Sequence, residues 1–163
     1  MLGNGERQVR VEPNYGNVFD HFAVEFEYDD GFLMSSQCRQ TDGCDSRVEE
    51  RIIGSEGSLL TRPGYARITG KHPWVFDGEN GNPYVQEHVD LIAAITSGTL
   101  IQEARAVAES TLTAIMGRLS AYTGKLVTWD QALASKLQIT PAVFEMGPLP
   151  VAPVPVPGRT PLG

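Results

Sequence analysis

The chain has 163 residues, with 13 Lys and Arg against 20 Asp and Glu and a formal net charge of −7 at pH 7. That acidic balance argues against a sequence-independent grip on nucleic acid or on anionic membrane. No apolar run approaches the ~18 residues needed to span a bilayer. The opening residues MLGNGERQVR lack the apolar centre of an export signal, so a cytoplasmic protein is expected. Cys38 and Cys44 are too few for a disulfide framework and are expected as free thiols.

In chain order, alternation around Val9 and Val11 predicts a first strand over residues 6–12, broken by Pro13, Asn14 and Gly16. Residues 18–28, VFDHFAVEFEY, give the clearest strand pattern. Phe22, Val24, Phe26 and Tyr28 fall on one face, and His21, Ala23, Glu25 and Glu27 on the other. Asp29-Asp30-Gly31 is a hairpin turn, because Asp-Gly tolerates the positive φ of tight hairpins, and the strand returns over 32–40. Further strands are expected at 47–54, at Leu59-Leu60 after the turn 55–58, at 66–70 and at 74–78.

Helical periodicity begins at Asn82-Pro83, a good N-cap followed by a proline whose missing N–H is no loss in the first turn. Val85, Val89 and Ile92 are expected to face inward, with Gly98 ending the helix. A longer helix follows over 102–123, its apolar stripe running through Ala104, Val107, Ala108, Thr111, Leu112, Ile115, Leu119 and Tyr122. Leu126 and Val127 suit an edge strand, and Thr128 caps a short helix, WDQALAS. The segment ending in GPLPVAPVPVPGRTPLG is too Pro-rich for helix or sheet and reads as an extended polyproline-type tail. The expected architecture is α+β: an open, mainly antiparallel sheet with two or three helices on one face over residues 1–138, and a Pro-rich tail over 139–163. The sheet's other face must then be solvated or covered by a partner.

Motifs for chemistry are sparse. Gly3-Asn4-Gly5 starts like a dinucleotide fingerprint but lacks its third glycine and a preceding strand. His21, His72 and His88 are too dispersed for a metal site, and no Gly-x-Ser-x-Gly elbow is present. No catalytic residue is assigned. Tyr84, Glu87 and His88 lie on the first turns of the helix after Pro83, with Tyr84 and His88 one turn apart. They are candidates for a binding wall; Glu87 also suits a helix N-terminus, and His88 suits a half-buried packing position. Arg39, near a strand end, fits an anionic or hydroxylated ligand, or equally a salt bridge with Glu25 or Glu49.

Four segments taken together, GNVFDHFAVEFEYDDGFLMSSQCRQ, IIGSEGSL, NPYVQEHVDLIAAITSG and AESTLTAIMGRLSAYTGKLVTWDQAL, resemble the C-terminal domain of the Gfo/Idh/MocA family of NAD(P)-dependent oxidoreductases. The glycine-flanked hairpin at 53–59, the Ala-Ile-x-x-Gly helix end at 94–98 and the run AYTGK-x-V-T-W carry most of the likeness. The resemblance implies a two-domain enzyme acting on a sugar or polyol. Its NAD(P) would be held by a Rossmann domain, and the present type of domain would form the substrate wall and the homo-oligomer contact through its open sheet face. It makes Arg39, Tyr84, Glu87 and His88 substrate-wall candidates. Neither the glycine-rich cofactor loop nor the family's Asp/Glu-x-x-x-His element is matched; Asp20-His21 falls on a strand after it. The chain is therefore expected to hold no cofactor and to be inactive alone, as a truncated piece or the partner of a separate Rossmann-domain chain. A non-catalytic dimeric binding or scaffold module is the alternative.

Overall fold

The computed structural model describes residues 1–141 and 143–163. In chain order its strands are β1 (Leu2–Glu6), β2 (His21–Glu27), β3 (Leu33–Arg39), β4 (Glu50–Gly54), β5 (Gly57–Arg62), β6 (Tyr65–Gly70) and β7 (Trp74–Val75). The helices are α1 (Pro83–Ser97), α2 (Ala104–Thr123) and α3 (Trp129–Ala134), and a 3-10 turn covers Pro13–Tyr15. The class is α+β with open antiparallel sheets. The strands form two separate sheets, β1-β2-β3 and β4-β5-β6-β7, rather than the single one expected. The chain divides into two compact units, one made of residues 1–42 and 103–163 and the other of residues 43–102.

In the first unit, the Phe22/Val24/Phe26 face of β2 turns toward α2, as the alternation predicts, with Val24 and Phe26 buried. β1 covers Leu2–Glu6, and the alternating stretch 7–12 is loop, so the expected first strand is displaced toward the N-terminus. The reason is packing. Register places Gly3 opposite Val24 and Gly5 opposite Phe22, so both glycines face the helix. A Cβ on Gly3 would lie 3.1 Å from the Ala121 nitrogen and the Gly117 oxygen. Only a strand bare of side chains lets the helix backbone come this near. The Gly3 N–H then donates to Ser120 Oγ at 2.8 Å, and Ser120 Oγ donates to the Lys125 carbonyl at 2.6 Å. Val9 and Val11, whose alternation suggested the strand, are exposed.

The stripe expected along α2 is only half used. Met116, Leu119 and Tyr122 are buried, with Val127 and Ala132 completing the core beneath α3. Val107 and Ile115 remain exposed because only the C-terminal half of the helix meets the sheet. Leu126 and Val127 form no strand, although Val127 exchanges two backbone hydrogen bonds with Met1, at 3.2 and 3.3 Å. α3 begins with the predicted cap: Thr128 accepts from the Gln131 N–H, and the Gln131 side chain accepts from the Thr128 N–H, a reciprocal capping box. The described residues of the Pro-rich tail have neither helix nor strand, yet its end is anchored. The Gly158 N–H donates to the Thr123 carbonyl at 2.7 Å, closing the C-terminus of α2, and Leu162 packs against the core.

In the second unit β4 to β7 form a simple meander, with Gly54 and Gly57 paired across the two-residue turn Ser55-Glu56. α1 starts with Asn82 accepting from the Tyr84 N–H and stops at Gly98 with φ 69°. Its expected inward residues Val85, Val89 and Ile92 are all more than half exposed, and within its unit it packs on no strand. The placement of α1 on a sheet face is thus corrected; α2 holds to the expectation, and α3 packs on α2 rather than on a strand.

Valine is a better strand former than glycine, so propensity and packing make opposite forecasts for Gly3→Val. Packing wins at a 3.1 Å backbone contact: the variant is expected to lose about 1–3 kcal/mol of stability. Urea unfolding followed by circular dichroism measures the sign.

Candidate functional site

The most elaborately held polar group is Asp20, directly before β2. Its carboxylate is buried, and Oδ2 accepts the backbone N–H groups of Gln8, Val9 and Arg10 at 2.8, 2.7 and 3.0 Å. Burial by itself would push this carboxyl up. The donors from Arg10, Val9, the His21 ring and Gln8 outweigh it and hold the group well below the usual carboxylate range. Arg7 binds the same loop from its other side, donating from Nε to the Arg10 carbonyl at 2.6 Å, from Nη1 to Gly16 at 2.6 Å and from Nη2 to Glu12 at 3.0 Å. One anion thus collects loop N–H groups and one cation collects loop carbonyls. Residues 7–16 are ordered without strand pairing, which is also why they are not the predicted strand.

Asp20 Oδ1 lies 2.8 Å from Nδ1 of His21. A carboxylate can only accept there, so the imidazole carries its proton on Nδ1. In sheet register His21 sits opposite Glu6 on β1 and Arg39 on β3, on the face turned away from α2. This face offers an oriented imidazole beside a carboxylate and a guanidinium, a set suited to hydroxylated or anionic ligands. The Asp20–His21 pairing was visible as adjacent letters. What sequence reading missed is the burial of Asp20, which depends on a loop folding back over it.

The structure places Arg39 in the first unit, at the end of β3, and Tyr84, Glu87 and His88 in the second, on α1. Within α1, His88 Nδ1 is 2.7 Å from the Tyr84 carbonyl oxygen and 3.6 Å from Glu87 Oε1. Glu87 and His88 therefore touch despite being sequence neighbours on different helical faces. All three side chains are exposed, and none lines either of the two main cavities. The larger cavity, about 430 Å³, lies in the first unit between the end of β1, Phe19 and the tail at 154–157. Arg7 borders it, with the three carbonyl contacts above already engaging its guanidinium. No helix among the described residues is long and apolar enough to cross a membrane.

No protein-family model, no curated protein and no solved structure matches the chain.

Because the folded Asp20 carboxyl lies below its unfolded value of ~3.9, its contribution is complete above about pH 4 and is lost as pH falls through the depressed folded value. Asp20→Ala is expected to cost about 2–4 kcal/mol at neutral pH, since it strands three backbone donors, and to flatten the acid side of the stability curve. Urea midpoints of both proteins from neutral pH downward measure this.

Proposed function

We propose that the chain is the substrate-wall and oligomerisation domain of a Gfo/Idh/MocA-type sugar or polyol oxidoreductase. The four resembling segments support this reading, and so does the α+β fold with open sheets. The observation that carries it is an uncovered apolar row. Ile52, Leu59, Ile68 and Trp74 stand directly opposite one another across β4, β5, β6 and β7. Ile52, Ile68 and Trp74 are among the exposed large hydrophobics. Such a surface fits a domain that is covered on assembly, by a second copy or by a Rossmann-domain partner.

In this reading the hydride passes between a substrate carbon and NAD(P) held outside these residues. A general base takes the hydroxyl proton, and this chain contributes binding contacts alone, with no catalytic group and no cofactor. Arg39, Tyr84, Glu87 and His88 are the proposed substrate-wall residues, and the Asp20-oriented His21 stands on the same sheet face as Arg39.

Light scattering on the purified chain, with and without NADH, tests the proposal. The expected outcome is a dimer or larger assembly whose mass ignores NADH, with Ile68→Asp shifting it toward monomer. A monomer of unchanged mass in the variant, or NADH binding at micromolar concentration, overturns it. Adding a Rossmann-domain partner and a polyol to the assembly separates the enzyme reading from a scaffold module, since only the former yields substrate-dependent reduction of NAD(P).

A further inference from the structure

The second sheet has a face opposite the apolar row, and its chemistry is different. Register sets Arg51, Leu60 and Arg67 in line across β4, β5 and β6, and Ser58 opposite Thr69. These residues, with Tyr65, line a shallow cavity of about 220 Å³. Ser58 Oγ and Thr69 Oγ1 lie 2.9 Å apart, so two hydroxyls share one corner of it. Arg62 stacks over the Tyr65 ring at 4.6 Å, adding a third cation at the rim.

The balance of charge on this face is one-sided. Glu50 is the single acidic residue within the four strands; it lies on the opposite face and accepts from Thr61 Oγ1. The acids flanking β4 are engaged by other cations: Glu49 by Arg47 at 3.4 Å and Glu56 by Lys71 at 2.8 Å. Among the described residues, neither the Arg51 nor the Arg67 guanidinium has a hydrogen-bond or ion-pair partner. Their strands are two spacings apart, about 10 Å, with Leu60 as the floor between them. Two long, forked side chains converging over that distance can both donate to one small group carrying several acceptor oxygens.

We propose that this face binds a compact oxyanion of the phosphate or phosphate-monoester class, clamped between Arg51 and Arg67 with the Ser58 and Thr69 hydroxyls as further donors. The size of the cavity admits a phosphate group and a few carbons. An overall charge of −7 opposes an extended polyanion, which would meet the repulsion of the whole chain, far more than it opposes a single small dianion. This site is independent of the oxidoreductase reading.

The test is a titration of the full chain with inorganic phosphate and with glycerol phosphate, followed by backbone amide NMR and compared with chloride at matched ionic strength. Saturable shifts confined to residues 50–70, half complete below about 5 mM, are expected with at least one phosphate species. Tighter binding of glycerol phosphate identifies an ester as the ligand, and equal binding identifies phosphate itself. Arg51→Gln and Arg67→Gln should each weaken binding about tenfold or more, the loss of a charge-assisted contact. Arg105→Gln should leave it unchanged, since Arg105 pairs with Glu109 on the exposed surface of α2. Non-saturating shifts that chloride reproduces, or wild-type affinity in both arginine variants, overturn the proposal.

Discussion

The first unit depends on how near one strand can come to one helix. Gly3 and Gly5 remove every side chain from the face of β1 that meets α2, and Gly117 does the same on the helix, where a Cβ would lie 3.3 Å from Phe26. Backbone packs on backbone, and the polar groups this buries must then be paired within the contact. Ser120 meets that demand by accepting from Gly3 and donating to Lys125. Thr123 Oγ1 donates to the Leu119 carbonyl at 2.8 Å, and the Thr123 carbonyl accepts from Gly158 of the tail. Tyr122 fills the adjoining space against Phe19, with centroids 4.5 Å apart, and its hydroxyl accepts from the Phe19 N–H at 3.3 Å. The tail's docking is a consequence of the same geometry. Gly124 ends the helix at φ 66°, and Pro157 and Gly158 lie so near it that a side chain there would collide with them.

Where a signal was local, the sequence was legible. Asp30-Gly31, Asn82-Pro83, Gly98, Gly124 and the Thr128 cap act through residues within four positions of each other, so their meaning does not depend on the rest of the chain. β2 was equally clear because its partner helix rewards strict alternation. β1 was not, since Leu-Gly-Asn-Gly-Glu has almost no hydrophobic pattern and becomes a strand through a helix more than a hundred residues away. The helical stripes were legible as stripes but not as buried ones. Periodicity states which face can pack, and only tertiary contact decides whether it does, as Val107 on α2 and Val89 on α1 demonstrate by remaining exposed.

The same division holds for functional groups. Arg39, Tyr84, Glu87 and His88 were selected for residue type and position along an element, and their exposure could not be read from that. Asp20 depends on a fold-back loop, so nothing in its local alternation marked it as the anion that orders residues 7–10. The Arg51–Arg67 pair is sixteen positions apart in sequence and becomes one feature only through the registers of two hairpins. Strand pairing with an intervening strand of fixed register is what converts scattered letters into a site.

The second sheet brings these arguments together, because its two faces make opposite demands of their surroundings. Ile52, Leu59, Ile68 and Trp74 form a continuous apolar row, and leaving it in water forfeits about 25 cal/mol for each Å² that a partner would cover. Arg51 and Arg67 on the reverse face are well hydrated and lose solvation if an apolar surface covers them. An apolar surface laid on this sheet would therefore be favoured on the side of the row and disfavoured on the side of the arginines. The period-two alternation that makes these residues a strand also sets the apolar row and the arginine pair on opposite sides of one sheet.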